Sequence, residues 1–118
     1  PDALPVDERF LLFCAELIKN GFLQQNAFDP KDMYSTPLKQ MKLLKIITGF
    51  YSAGIALLEA GADLQEITEL PSVPGMTRLK SETGNDELDK IDEYEKMVRS
   101  GLSAISEKLK QEAAGDRA

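Results

Sequence analysis

The stretch that decides the fold reads Thr36-Pro-Leu-Lys-Gln-Met-Lys-Leu-Leu-Lys-Ile-Ile-Thr-Gly-Phe-Tyr-Ser-Ala-Gly-Ile-Ala-Leu-Leu58. Within it Met41, Leu44, Ile47, Tyr51, Ile55 and Leu58 advance by three or four residues, the period of one helix face. Ser35 or Thr36 can cap the N-terminus, and Pro37 suits the first turn, where the amide that proline lacks would have no helical partner. Gly61 follows the last apolar position, where a left-handed C-terminal cap favours glycine. Gly49 and Gly54 each weaken such a helix by about 1 kcal/mol relative to alanine, which points to close packing against them.

The chain on either side of this helix repeats the helical period. From Val6 to about Gln25, Phe10, Phe13, Leu17 and Ile18 mark a first helix, with Asp7 and Glu8 in the first turn where acids suit the helix dipole. Leu11, Leu12, Cys14, Phe22 and Leu23 widen its apolar face, which predicts burial on more than one side and a central position. Asn26 to Thr36 has the composition of a connector. Asp63 followed by Glu66 predicts a capped short helix to about Glu69, ended by Pro71. Ser72 to Asn85, with Pro74, Gly75 and Gly84, reads as an irregular crossing segment with room for one helical turn. Leu88, Ile91, Tyr94, Val98, Leu102, Ile105 and Leu109 trace a long amphipathic acidic helix over about residues 86–111, after which 113–118 should fray. No run alternates as a half-buried strand does, so the fold class is all-α, a helical bundle or superhelix.

Length and composition narrow the function. The 118 residues, 42% hydrophobic, suit one globular domain. Twenty acids against fourteen bases give a net charge of -6, a field that repels nucleic-acid phosphates and anionic lipid. With no histidine and one cysteine, common structural zinc sites, internal disulfides and histidine-based catalysis are out of reach. No apolar stretch is expected to reach the roughly 18 residues a membrane span requires, and no basic n-region precedes an apolar h-region, so a soluble, intracellular setting is expected. The chain opens at Pro1, compatible with trimming, processing or excision, and is expected to be a piece of something longer.

Chemical motifs are few. No glycine is followed by lysine, so a P-loop cannot form. The acids Glu82, Asp86, Glu87, Asp89, Asp92, Glu93 and Glu95 lack the spacing of a calcium loop and read as a solvated face. Asp92 with Glu95, or Glu66 with Glu69, could be posed as acid/base pairs, but nothing orients them into a cleft. Cys14 lies in an apolar pattern with no basic neighbour to activate it. The unusual stretch is Phe22-Leu23-Gln24-Gln25-Asn26-Ala27-Phe28-Asp29, three amides bracketed by two phenylalanines. Amides read hydrogen-bond edges and a ring stacks on a flat ligand such as adenine, yet polar caps and two core aromatics at a helix end would look the same.

That stretch closely resembles the segment after the nucleotide-binding domain in the catalytic A subunit of archaeal and bacterial V-type ATP synthases. Asp32-Met33-Tyr34 looks like that family's Asp-x-Tyr, Lys39-Gln40 with Leu43, Leu44 and Ile47 looks like its following helix, and Phe50-Tyr51 falls on its aromatic pair. Asp2-Ala3-Leu4-Pro5, Leu57-Leu58-Glu59-Ala60-Gly61 and Glu69-Leu70-Pro71 are also similar, so the resemblance covers roughly residues 2–80.

The resemblance implies a single C-terminal helical domain over residues 1–118, a helical bundle or left-handed superhelix of about four to five helices. The β-barrel and the P-loop nucleotide-binding domain that precede it in the family are absent from this sequence. It further implies no catalytic residue and no cofactor in the chain itself, with Mg-ATP or Mg-ADP bound in the parent subunit. An adenine-end contact would fall on Phe28, with Gln25 and Asn26 as polar neighbours and Gln24 and Ala27 adjacent. The implied partners are B subunits and central-stalk subunits of a cytoplasmic complex peripheral to a membrane. That complex couples ATP hydrolysis or synthesis to rotation and proton or sodium transport, without direct membrane contact by this piece. Nucleic acid is not expected as a partner, and the isolated chain is expected to be monomeric. The alternatives are a free-standing α-helical interaction module docking through its last helix and, last, a small enzyme using carboxylates.

Overall fold

The computed structural model describes residues 4–23 and 35–117, and every regular element among them is helical. Helix α1 spans Val6–Ile18 and widens into a π-helix over Lys19–Leu23; α2 spans Pro37–Glu59, α3 Leu64–Thr68, α4 Val73–Met76, α5 Leu79–Glu82 and α6 Leu88–Arg117. The class is all-α, as the periodicity predicts. Six α-helices stand among the described residues where four to five are expected, because the segment read as irregular holds both α4 and α5, each of one turn.

Helix α2 is the centre of the molecule, with α1 and α6 as its principal neighbours. Its start is fixed by Thr36, whose Oγ1 accepts from the Lys39 amide at 3.2 Å, and by Pro37 in the first turn. It ends as glycine permits: Gly61 takes φ 105°, its amide donates to Leu58 O at 3.1 Å, and the Ala62 amide donates to Leu57 O at 2.9 Å. Asp63 caps α3 through the Gln65 amide, while Glu66 reaches Lys108 of α6 instead of closing a reciprocal box.

Two expectations about faces need correction. The buried ladder of α2 is Leu43, Ile46, Phe50, Gly54 and Leu57, with Ile47 shared, whereas Met41 is 61% exposed and Leu44 39%. Helix α2 is apolar nearly all round, so two ladders one residue apart both satisfy the period, and the packing of α1 and α6 selects between them. Likewise α1 buries one face, Phe10, Cys14 and Leu17, and leaves Leu11 and Leu12 half exposed. The expectation that no apolar stretch reaches the length of a membrane span also needs correction: by length and composition α2 qualifies, although its buried residues are part of the core. Helix α6 follows its predicted ladder, burying Ile91, Val98, Leu102 and Ile105, and continues helical to Arg117 through the strong helix formers Ala113 and Ala114. The short helices complete the core with Ile67, Val73, Met76 and Leu79.

Candidate functional site

The candidate residues Gln24, Gln25, Asn26, Ala27 and Phe28 lie outside the described residues. The structure describes where the chain enters and leaves that segment. On the entry side, Gly21 in the π-helix is buried against α4: a Cβ there would lie 2.7 Å from Thr77 Cα and 3.2 Å from Met76 O. Only glycine lets the two backbones approach so closely.

The exit is fastened by several bonds. Asn85 Oδ1 accepts from the Thr36 amide at 3.0 Å, and Gln40 Nε2 donates to Ser35 O at 3.1 Å. One turn further, Lys39 is completely buried, and its ammonium donates to Lys80 O at 2.7 Å and to Thr83 O. The acceptors are carbonyls at the end of α5, where a cation suits unpaired backbone oxygens. Just beyond them, Glu87 Oε1 accepts from the Gly84 amide at 2.8 Å. A Cβ on Gly84 would lie 2.8 Å from Asp86 Oδ1, the end of a side chain that can turn aside.

The carboxylates posed as acid/base pairs are engaged elsewhere. Asp92 pairs with Lys42 at 2.7 Å, Glu95 with Arg99 at 3.4 Å and Glu66 with Lys108 at 3.4 Å, while Glu69 accepts from Gln65 Nε2 at 3.0 Å. Among the described residues no group of three or more side chains is placed to hold a metal ion. The Cys14 thiol is buried, and desolvation pushes it up to about 12, away from the thiolate that a nucleophile needs. An open groove of about 570 Å³ separates α2 from α6, with small residues Gly49, Ala53 and Ala56 beside apolar Phe50, Leu57 and Leu102. Lys45, Glu95 and Arg99 also line it, with Ser52, Ser103 and Ser106.

The sequence reading places Lys39 only within a family-like helix motif, without its burial, and gives Asn85 no role. A signal existed for Lys39, which stands four residues before Leu43 on the ladder that proves to be buried. Nothing in the sequence pairs Asn85 with a residue 49 positions away.

The chain has relatives along most of its length. The family model of the C-terminal domain of V and A type ATP synthase matches residues 1–68. The A subunit of the A-type ATP synthase of Sulfolobus acidocaldarius is 36% identical over 107 residues, covering 89% of this chain and 18% of that protein. The V-type ATP synthase alpha chain of Nitrosococcus oceani is 35% identical over 105 residues, covering 89% of this chain and 18% of that protein. The corresponding A subunit of Hyperthermus butylicus is 36% identical over 108 residues, covering 90% of this chain and 18% of that protein. The chain therefore spans under a fifth of the length of these relatives, and the matched share is too large to stop at residue 80, so the similarity reaches into α6.

Proposed function

The chain belongs to the family of C-terminal domains of V- and A-type ATP synthases, and from that premise we propose that it serves as the helical domain of a catalytic A subunit. The observation that carries the reading is the match to 89% of this chain by 18% of an ATP synthase A subunit. A free-standing interaction module would leave that match unexplained.

In this reading the domain supplies the adenine end of a nucleotide site and transmits motion, while the phosphate loop belongs to the preceding domain of the subunit. Phe28 contacts the base and Gln25 and Asn26 flank it, with Gln24 and Ala27 adjacent. A stacked ring is worth about 1 kcal/mol, enough to tune affinity and far short of what holds Mg-ATP or Mg-ADP without a phosphate loop. The chain has no activity alone; ATP hydrolysis or synthesis, rotation and proton or sodium transport are properties of the parent complex. B subunits and central-stalk subunits are its neighbours on the cytoplasmic side, peripheral to the membrane. Leu11 at 50%, Leu12 at 55% and Met41 at 61% exposure support contact with further protein.

Hydrogen exchange on the full-length protein tests this assignment. Saturating Mg-ADP should slow exchange in residues 22–36 more than in α6, and equal exchange in both states would refute the adenine-end role.

A further inference from the structure

Helix α2 presents one open face along four turns. Lys45, Gly49, Ser52, Ala56 and Glu59 are all exposed, and at 3.6 residues per turn they share an arc of about 80° over about 21 Å. Between its two charged ends this face carries nothing larger than a hydroxymethyl group, where a helix turned to solvent normally carries long polar side chains. Met41, 61% exposed, continues it one turn before Lys45.

The groove of about 570 Å³ between α2 and α6 runs beside this face, floored by Phe50, Leu57, Val98 and Leu102. The two helices are parallel: Lys42 meets Asp92 near both N-termini, and the chain leaving α2 enters α3, whose Glu66 meets Lys108 far along α6. A helix laid antiparallel on α2 would cover the groove and oppose the dipoles of both its walls.

Charge selects the occupant. Among the described residues the side chains of Lys45 and Glu59 have no ion-pair or hydrogen-bond partner. The acids nearest Lys45 are engaged, Asp92 by Lys42 at 2.7 Å and Glu95 by Arg99 at 3.4 Å. Ser52 stands midway between Lys45 and Glu59 in the sequence. If two α2 helices lie antiparallel with their Ser52 residues opposed, Lys45 of each copy meets Glu59 of the other, and two-fold symmetry makes the contact twice.

We propose that this face binds a second copy of the chain, α2 antiparallel on α2 about Ser52, with the two α6 helices on the same side so that four helices close both grooves into one core. The pairing departs from the monomer expected of the sequence and does not depend on the nucleotide reading. Its contact is small, which places it in the weak, transient class.

The test is sedimentation equilibrium of the 118-residue chain at low salt up to high-micromolar concentration. The wild type should pass reversibly from monomer to dimer, and added salt should favour the monomer. Lys45→Glu and Glu59→Lys, both at exposed positions, should each weaken the dimer about tenfold by setting like charges opposite one another twice. An equimolar mixture of these two variants should regain the wild-type association, because only the mixed dimer restores both attractive pairs. Ser52→Arg, at the centre of the contact, should abolish the dimer while helical circular dichroism stays unchanged. A wild-type chain that remains monomeric throughout overturns the proposal. So does a dimer that Ser52→Arg leaves intact, or a mixture no tighter than its components.

Discussion

The ring of Phe10 occupies the space where any side chain at position 54 would begin: a Cβ on Gly54 would lie 2.3 Å from Phe10 Cζ and 2.4 Å from Cε2. The ring cannot step aside cheaply. It is fully buried, tilted against Phe50 at 5.5 Å between centroids and stacked on Tyr51 at 5.7 Å. This contact seats α1 on α2, and it explains a glycine in the middle of a helix.

Gly54→Ala should therefore destabilise the domain. Because the clash falls on a confined ring, overpacking costs the upper part of its usual range, about 2–3 kcal/mol, and helix propensity returns about 1 kcal/mol, so the net loss is about 1–2 kcal/mol, read as a fall of roughly 4–8 °C or more in Tm. An unchanged or higher Tm would mean that the ring is not confined.

Gly49→Ala should do the opposite. No atom lies within 4 Å of a Cβ built there, so only the helix term remains, and stability should rise by about 0.5–1 kcal/mol in urea unfolding. The sequence suggests close packing for both glycines; the structure assigns it to Gly54 alone.

That contrast shows what could be read and why. The caps of α2 and the ladder of α6 depend on local spacing, and Thr36, Pro37, Gly61, Ile91 and Val98 stand where the pattern puts them. The buried side of α2 depends on which neighbours arrive, and an all-round apolar helix carries no local preference. The same applies to Leu11 and Leu12 on α1, whose apolar character is plain and whose exposure is not. The candidate site residues Gln24 to Phe28 are singled out by family resemblance alone and lie outside the described residues. The contacts flanking them, Gly21 against Thr77 and Thr36 with Asn85, could not be read because they join positions more than forty residues apart.

Tyr94 ties α6 to the turn before α4, its hydroxyl donating to Ser72 O. Gly75 makes the approach possible, since a Cβ there would lie 2.0 Å from Tyr94 Oη. Tyr94→Phe leaves the ring and removes the bond, and should cost about 1 kcal/mol at pH 7 with an unchanged urea m-value. No loss would mean that Ser72 O finds an equal partner in water.

Alkaline stability should depend on Cys14. Burial pushes its thiol from 9.0 up to about 12, so between these values the unfolded chain gives up a proton that the folded chain keeps. The unfolded state then binds fewer protons, and stability falls as pH rises. Between pH 8 and pH 10 the loss should be about 1 kcal/mol, less than the ~1.4 kcal/mol of a fully desolvated thiol. Cys14→Ala should flatten that slope in urea unfolding at the two pH values. An equally steep slope in the variant would assign the effect to other groups, Tyr94 among them, whose hydroxyl burial also raises.

If this helical domain completes a nucleotide site whose phosphate half lies elsewhere in the subunit, as proposed, nucleotide affinity must depend on Phe28. The most direct measurement is the equilibrium Kd for Mg-ADP of the assembled complex of full-length A and B subunits, wild type against Phe28→Ala. Binding should weaken about five- to tenfold, the worth of one stacked ring. An unchanged Kd in a correctly assembled variant would contradict it.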